Sequence, residues 1–311
     1  MKTLSPETSW KSFLSEVYDW KLVNGQSKGK LNIVPLLCTI ESPCPRCAKT
    51  RYHLIFPSPS GDLPKLWATY PAGGDAKIHT QEWMARQCWA IADSLTAIHQ
   101  NEETKGLRIP GHAKRKSRFM QRGDITPDKL WWFRSPTEDC EAGTLALSNF
   151  GIKEEGTYPP GTWSSPEFSI IDDTGFEYKR RIGTKANIWS LACIWLEFAT
   201  WYLKGEMGQK EFSRSRLGKD KTGKFTDHYF RVLGNQQAAV VKPGVIKWIK
   251  DLHLKEKCTP FLHDLLVYIE KKMLVVDCNE RATTLEVSEE MKKLYRRVLA
   301  RALPGQRSRS I

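Results

Sequence analysis

Apolar residues recur at helical spacing in several long stretches of the chain. In the first of them Phe13 and Val17 lie four positions apart, on one face of a helix. The stretch around Ile194 is apolar on every side, which is typical of a helix in the middle of a domain. The predicted helices are Trp10–Trp20, Gln81–Gln100, Ala186–Leu203, Pro260–Met273 and Thr284–Ala302.

Strand-like runs bounded by turn residues occupy some of the spaces between these helices. We predict strands at Leu31–Ile40, Arg51–Phe56, Leu130–Phe133 and Thr144–Leu147. A small mixed part therefore comes first and a larger, mainly helical part follows, which indicates an α+β fold class. We divide the chain into residues 1–57, residues 58–302 and a basic tail at 303–311.

The composition is that of a soluble globular protein. The chain has 311 residues, of which 40% are hydrophobic and 27% are charged. No apolar run is long enough for a membrane span, and Met1–Trp20 lacks the apolar core of a secretory signal. Because the eight cysteines are scattered, we expect no disulfide framework. We expect an intracellular location, cytoplasmic or nuclear, without membrane attachment.

One close pair of cysteines, Cys44 and Cys47, suggests a metal site at first sight. A structural zinc site needs four ligands, and only Cys38 and His53 lie nearby in the sequence. We therefore interpret the pair as part of a plain hairpin loop.

The net charge is +13, and the excess is concentrated in a few stretches. They are Lys105–Arg122, Lys204–Lys224 and the tail that carries Arg307 and Arg309. Such runs are usually solvated loops, and we interpret them so. A binder of nucleic acid or of another acidic partner stays open as an alternative. Phe119 is the only aromatic residue in the first stretch, which does not favour that alternative.

Four short motifs follow one another in a fixed order. They are Gly123–Leu130 (GDITPDKL), Asn149–Gly151 (NFG), Ser165–Glu167 (SPE) and Asn187–Ser190 (NIWS), with Arg281 further on. This order resembles the catalytic loop and the D-F-G and A-P-E segments of the protein kinase superfamily, in particular its degenerate fungal-type members. The resemblance implies a kinase-like fold with a truncated small lobe and a large, mainly helical carboxy-terminal lobe.

The resemblance gives roles to three residues of the expected site. Asp124 stands where a kinase has the base that accepts the proton of the substrate hydroxyl. Lys129 replaces the metal-binding asparagine, and Asn149 replaces the metal-binding aspartate. Because Mg²⁺ prefers carboxylates and other oxygen ligands, we expect the site not to hold magnesium in the usual way. ATP binding stays open, since a lysine at position 129 can itself stand in for a metal beside a nucleotide phosphate.

The small lobe departs further from the kinase pattern. Neither a glycine-rich phosphate loop nor a V-A-I-K strand is recognisable, and Glu16 is the nearest candidate for the helix glutamate that pairs with that lysine. We expect the first three strands to be absent, either truly or because the sequence is incomplete, which leaves a remnant of one helix and two strands.

The structural residues of the large lobe are better preserved. Glu167 and Arg281 match a buried ion pair of the kinase lobe. Asn187 replaces an aspartate that accepts hydrogen bonds from the catalytic loop, a role that an amide oxygen can keep.

Three functions follow as hypotheses. We favour a catalytically impaired pseudokinase that acts as an interaction or regulatory module, with proteins rather than nucleic acid as partners. The alternatives are an active Ser/Thr protein kinase that transfers phosphate from ATP with Asp124 as its base, and the basic binder described above.

Overall fold

Helices and small antiparallel sheets make up the chain in a computed structural model. The structure describes residues 1–5, 7–27, 32–45, 47, 49–73, 79–104, 125–134, 142–148, 161–169, 184–220, 223–234 and 238–302. The helices are α1 (Trp10–Ser27), α2 (Leu63–Thr69), α3 (Gln81–Thr104), α4 (Thr184–Arg216), α5 (Pro243–His253), α6 (Pro260–Tyr268, continued by a π-helical turn at Ile269–Met273) and α7 (Thr284–Ala302). The strands are β1 (Lys2–Thr3), β2 (Cys38–Pro43), β3 (Thr50–Ile55), β4 (Gly61–Asp62), β5 (Leu130–Phe133), β6 (Thr144–Leu147), β7 (Gly218–Lys219), β8 (Phe225–Thr226), β9 (Phe230–Leu233) and β10 (Ala238–Val241). This mixture agrees with the predicted α+β class.

A small amino-terminal unit packs α1 against a three-stranded sheet of order β1-β3-β2. Side chains alternate along β3, so that Tyr52 and Leu54 are buried on one face of the sheet. Phe13 and Val17 of α1 cover that face, and the rings of Phe13 and Tyr52 stack at 4.4 Å. The predicted helical face is therefore confirmed, although the helix continues to Ser27.

Two expectations for this unit are wrong. The unit has a third strand, because Lys2 and Thr3 pair with Leu54 and His53. The run predicted as a strand from Leu31 forms one only from Cys38 onward. Before it, the backbone of 32–34 exchanges hydrogen bonds with Leu147. This apolar run therefore lies along the end of β6 and does not lengthen β2 in the β1-β3-β2 sheet.

Helix α4 is the buried centre of the larger unit. Every residue from 186 to 201 is buried, as predicted for a helix that is apolar on all sides. Helices α2, α5, α6 and α7 all contact it. Strands β5 and β6 form where predicted, in a second sheet of order β4-β5-β6.

The charged segment Lys204–Lys224, predicted to be a solvated loop, is helical as far as Arg216. Lys204 pairs with Glu211 and Lys210 pairs with Glu206 on the outer side, while Phe212 and Arg216 are buried. The prediction of a loop was wrong because charge alone does not distinguish a loop from the solvated face of an amphipathic helix.

The backbone of α4 bends at Gly205, where φ is 65° and ψ is −167°. The residues that follow α2 are bound at this bend: Glu206 N donates to Pro71 O, and Trp201 Nε1 donates to Tyr70 O. A Cβ atom on Gly205 would lie 2.4 Å from that same Pro71 oxygen. No helix within the described ranges is both long and apolar enough to cross a membrane.

We expect Gly205→Ala to lower the free energy of unfolding by about 2–4 kcal/mol, since it adds the strain of a positive φ to an overlap with a carbonyl oxygen. Gly223 is the matched control, because it also has a positive φ, of 80°, but no atom lies within 4 Å of its would-be Cβ. Gly223→Ala should cost about 1 kcal/mol. Chemical denaturation measures both, and equal losses would contradict the close approach of α2 and α4.

Candidate functional site

The structure describes one of the three predicted site residues, Lys129; Asp124 and Asn149 lie outside the described residues. Lys129 ends a short 3₁₀ turn, Pro127–Lys129, that leads into β5. Its backbone N–H donates to Thr126 O at 3.0 Å, which closes the turn. Pro127 suits the first position of such a turn, because its φ is fixed and it has no N–H to satisfy.

Lys129 is held against the end of β6. Both the backbone N–H and the hydroxyl of Ser148 donate to its carbonyl oxygen, at 2.8 and 2.9 Å. Pairing of Leu130 with Leu147 fixes the register of the two strands beside it. The Lys129 residue is only 6% exposed. The residue before Asn149 and the lysine at the expected metal position are thus joined by two hydrogen bonds.

A lysine and a glutamate meet in the amino-terminal unit. Lys2 Nζ on β1 lies 2.7 Å from Glu16 Oε1 on α1. The Glu16 side chain is 5% exposed and that of Lys2 is 32% exposed, so the carboxylate is the more buried partner. Glu16 was the predicted candidate for such a pair, but Lys2 was missed. A lysine that opens a short strand-like run upstream of Glu16 is the signal that sequence reasoning had available.

Glu167 and Arg281 form the buried ion pair that the sequence predicted. Arg281 Nη1 lies 2.8 Å from Glu167 Oε1, and the two side chains are 0% and 6% exposed. The remaining guanidinium N–H groups donate to the carbonyl oxygens of Lys185, Val275 and Val276. The pair therefore ties the Ser165–Glu167 motif to the start of α4 and to the turn before α7.

Asn187, at the start of α4, reaches His99 of α3 across the core. Its Nδ2 lies 3.1 Å from His99 Nε2. Because Nδ2 can only donate, His99 Nε2 accepts and its own proton sits on Nδ1. Burial lowers the pKa of His99 to about 3, so the ring is neutral at physiological pH.

A cleft of about 330 Å³ is lined by α2, by Trp163, by α4 from Glu197 to Arg216 and by Asp227. The Arg216 guanidinium packs there on the rings of Phe212 and Tyr229, at 4.0 and 4.3 Å from their centroids, and the two rings are nearly perpendicular to each other. Its guanidinium lies 3.1 Å from Glu197, which also accepts hydrogen bonds from Trp163 and Tyr229.

Asp227 forms the outer part of this network. It accepts from the Thr162 hydroxyl at 2.6 Å and from the Ser213 hydroxyl at 3.0 Å, and it lies 3.6 Å from Arg216. Burial alone would raise the pKa of Asp227, but the two hydroxyls and Arg216 hold it below its usual range. The network is thus a buried, charge-bearing wall of the cleft, and nothing in the sequence pattern predicted it.

The interpretation of Cys44 and Cys47 as part of a hairpin loop is confirmed. Residues 44–49 connect β2 to β3, and Cys44 N donates to Lys49 O across the turn. The nitrogens of His53 are within hydrogen-bond distance of the hydroxyls of Thr3 and Ser42. The described cysteines are all free thiols.

Comparison with protein-family models and with curated proteins finds no match to this chain.

Replacing Glu167 by alanine should lower the free energy of unfolding by about 3–5 kcal/mol, because it leaves the Arg281 cation buried without its partner. The control is Asp264→Ala, which breaks an ion pair with Arg297 whose side chains are 49% and 56% exposed. That change should cost less than about 1 kcal/mol. Denaturant titration of both variants checks the prediction, which fails if the two losses are similar.

The buried His99 makes stability depend on pH in a defined direction. Its folded pKa of about 3 lies below the ordinary value of 6.5, so the unfolded chain binds a proton that the folded chain excludes. The contribution of neutral His99 to the free energy of unfolding is therefore complete above pH 6.5 and is lost as the pH falls towards 3. His99→Gln keeps an acceptor for Asn187 and cannot titrate. Between about pH 6 and pH 4 the unfolding free energy of the natural chain should fall with decreasing pH more steeply than that of His99→Gln. The difference between the two slopes should be about 1.4 kcal/mol per pH unit. Parallel curves for the two chains would rule this out.

Proposed function

We propose that this chain is a protein-kinase-like module that does not use magnesium in the usual way and that acts by binding other proteins. The proposal starts from the order of the four motifs and from the roles that the kinase resemblance gives to their residues. Two ion pairs support it: Glu167 with Arg281, which is buried, and Lys2 with Glu16, in which the glutamate is buried and the lysine is 32% exposed. Removing one partner of a buried pair is costly, so their joint presence is expected of a chain that keeps this scaffold.

The observation that carries the proposal is the buried position of Lys129. The resemblance expects an asparagine oxygen there as a magnesium ligand, but a lysine side chain offers only donors. Ser148 holds the lysine carbonyl through two hydrogen bonds, so position 129 has little freedom to withdraw. Phosphoryl transfer depends on metal and charge placement, and the second expected ligand, Asn149, has also lost its carboxylate.

The cleft beside Trp163 is the surface that we propose for a partner segment. Its lining includes Trp67, Trp163, Lys210 and Asp227.

Thermal unfolding of the full chain with millimolar ATP, in the presence of magnesium or of a chelator, tests the proposal. We expect magnesium to add no stabilisation beyond that seen with ATP alone. A ligand at about a hundred times its dissociation constant adds roughly 2.7 kcal/mol, so a magnesium-dependent effect of ordinary strength is easily measured. Such an effect in the natural chain would overturn the proposal and would favour the active-kinase alternative.

The matched variant is Lys129→Asn combined with Asn149→Asp, which restores the asparagine and the aspartate that the kinase pattern expects at these two positions. If positions 129 and 149 are the cause, magnesium should stabilise this variant in the presence of ATP. A phosphotransfer assay tests the alternative, an active Ser/Thr protein kinase, and Asp124→Asn is its control. Phosphate transfer by the natural chain that disappears in this control would contradict the proposal independently of the thermal data.

A further inference from the structure

Three metal-binding side chains converge where α5 passes into α6. His253 ends α5, Cys258 lies in the connection and His263 is in the first turn of α6. Their ligand atoms all lie within 4.8 Å of one another. Cys258 is buried and the two histidines are half-buried, while residues 254–257 are exposed, so an ion can reach the cluster from solvent.

Local backbone hydrogen bonds set this arrangement. Lys255 N donates to Leu252 O and Cys258 N donates to Lys255 O, which folds the connection into two successive turns. Thr259 then caps α6 by accepting from Leu262 N. The turns bring the sulfur back towards the end of α5, and the first turn of α6 brings the second imidazole beside the first.

The two imidazole rings approach each other through one nitrogen atom of each ring. His253 Nδ1 and His263 Nδ1 are 2.7 Å apart, and the ring centroids are 4.9 Å apart with an interplanar angle of 15°. The rings therefore meet by their nitrogen edges rather than by their faces. Without a metal one Nδ1–H donates to the other Nδ1.

We propose that His253, Cys258 and His263 form a zinc site that fastens the end of α5 to the start of α6. Two imidazole nitrogens and a thiolate are a ligand set that zinc accepts, with the fourth tetrahedral position left to water or to a further oxygen ligand. The inference does not rest on the proposed function, because these residues belong to none of the kinase-like motifs.

Binding requires small movements and a balanced exchange of protons. Nitrogen ligands at about 2.0–2.1 Å from a tetrahedral zinc are about 3.3 Å apart, so the rings must separate by roughly half an ångström and turn until both Nδ1 lone pairs point at the ion. Both Nδ1 atoms then present lone pairs, and both ring protons lie on Nε2. The Cys258 thiol releases its proton to solvent as the sulfur–zinc bond forms, and no electrons are transferred.

Cobalt titration of the reduced full chain tests the site directly. We expect one Co²⁺ per chain, with the visible bands of tetrahedral cobalt and a thiolate-to-cobalt charge-transfer band that added zinc abolishes. Cys258→Ser should remove the charge-transfer band, and His253→Gln or His263→Gln should weaken binding at least about tenfold. Cobalt bound without a charge-transfer band in the natural chain would overturn the proposal.

Cys278→Ser and Cys47→Ser are the matched controls, since they remove a half-buried and an exposed thiol outside the cluster. Both should keep the natural spectrum; a band that survives Cys258→Ser but disappears in a control would assign the metal elsewhere. Circular dichroism checks that each variant folds. X-ray absorption of the zinc-loaded natural chain needs no variant and should give one sulfur at about 2.3 Å and nitrogens at about 2.0–2.1 Å. A shell of nitrogen and oxygen alone would refute the site.

Discussion

Burial of residues 186–201 of α4 on all sides is the constraint on which the larger unit depends. A helical segment with no solvated face has to be covered by other elements, and α2, α5, α6 and α7 all contact α4. Its few polar side chains cannot reach water, so each needs a partner within the protein. The bonds that result are Asn187 with His99, Ser190 with the carbonyl of Trp163, Glu197 with Tyr229 and Thr200 with Trp248. Polar positions on α4 thus fix where its neighbours attach, while the apolar positions supply the driving force.

Charge serves two different purposes in this chain. Glu197 with Arg216 is a buried pair within α4, on either side of its bend at Gly205. Glu167 with Arg281 is a buried pair beside the start of α4, where Arg281 also donates to Lys185 O. Such pairs hold geometry without any bound ligand. Positions 129 and 149 instead carry a lysine and an asparagine, so neither offers a carboxylate to a metal. A scaffold kept by internal pairs and these two positions without carboxylates together suit the binding module proposed above.

The proposed zinc site would act on the same scaffold. Helix α5 covers α4 through Trp248, which donates to Thr200 and stacks on Phe212 at 5.1 Å. A metal bridge between His253 and His263 would fix the spacing of α5 and α6, two helices that both contact α4. Metal binding would therefore stabilise the cover of the central helix.

The sequence by itself determined the elements whose signal is local. It predicted the apolar run of α4 and the bounds of β5, β6 and α7. It also predicted the pairing of Glu167 with Arg281, through the kinase resemblance.

Only the tertiary structure decided which distant groups meet. Lys2 reaches Glu16 because β1 pairs with β3 beneath α1, and Arg216 is buried although it lies in a charged run. His253, Cys258 and His263 converge because two backbone turns fold the connection back on itself. Periodicity and composition report the environment of one segment, whereas these contacts depend on how segments are brought together, which is set by burial of the whole core.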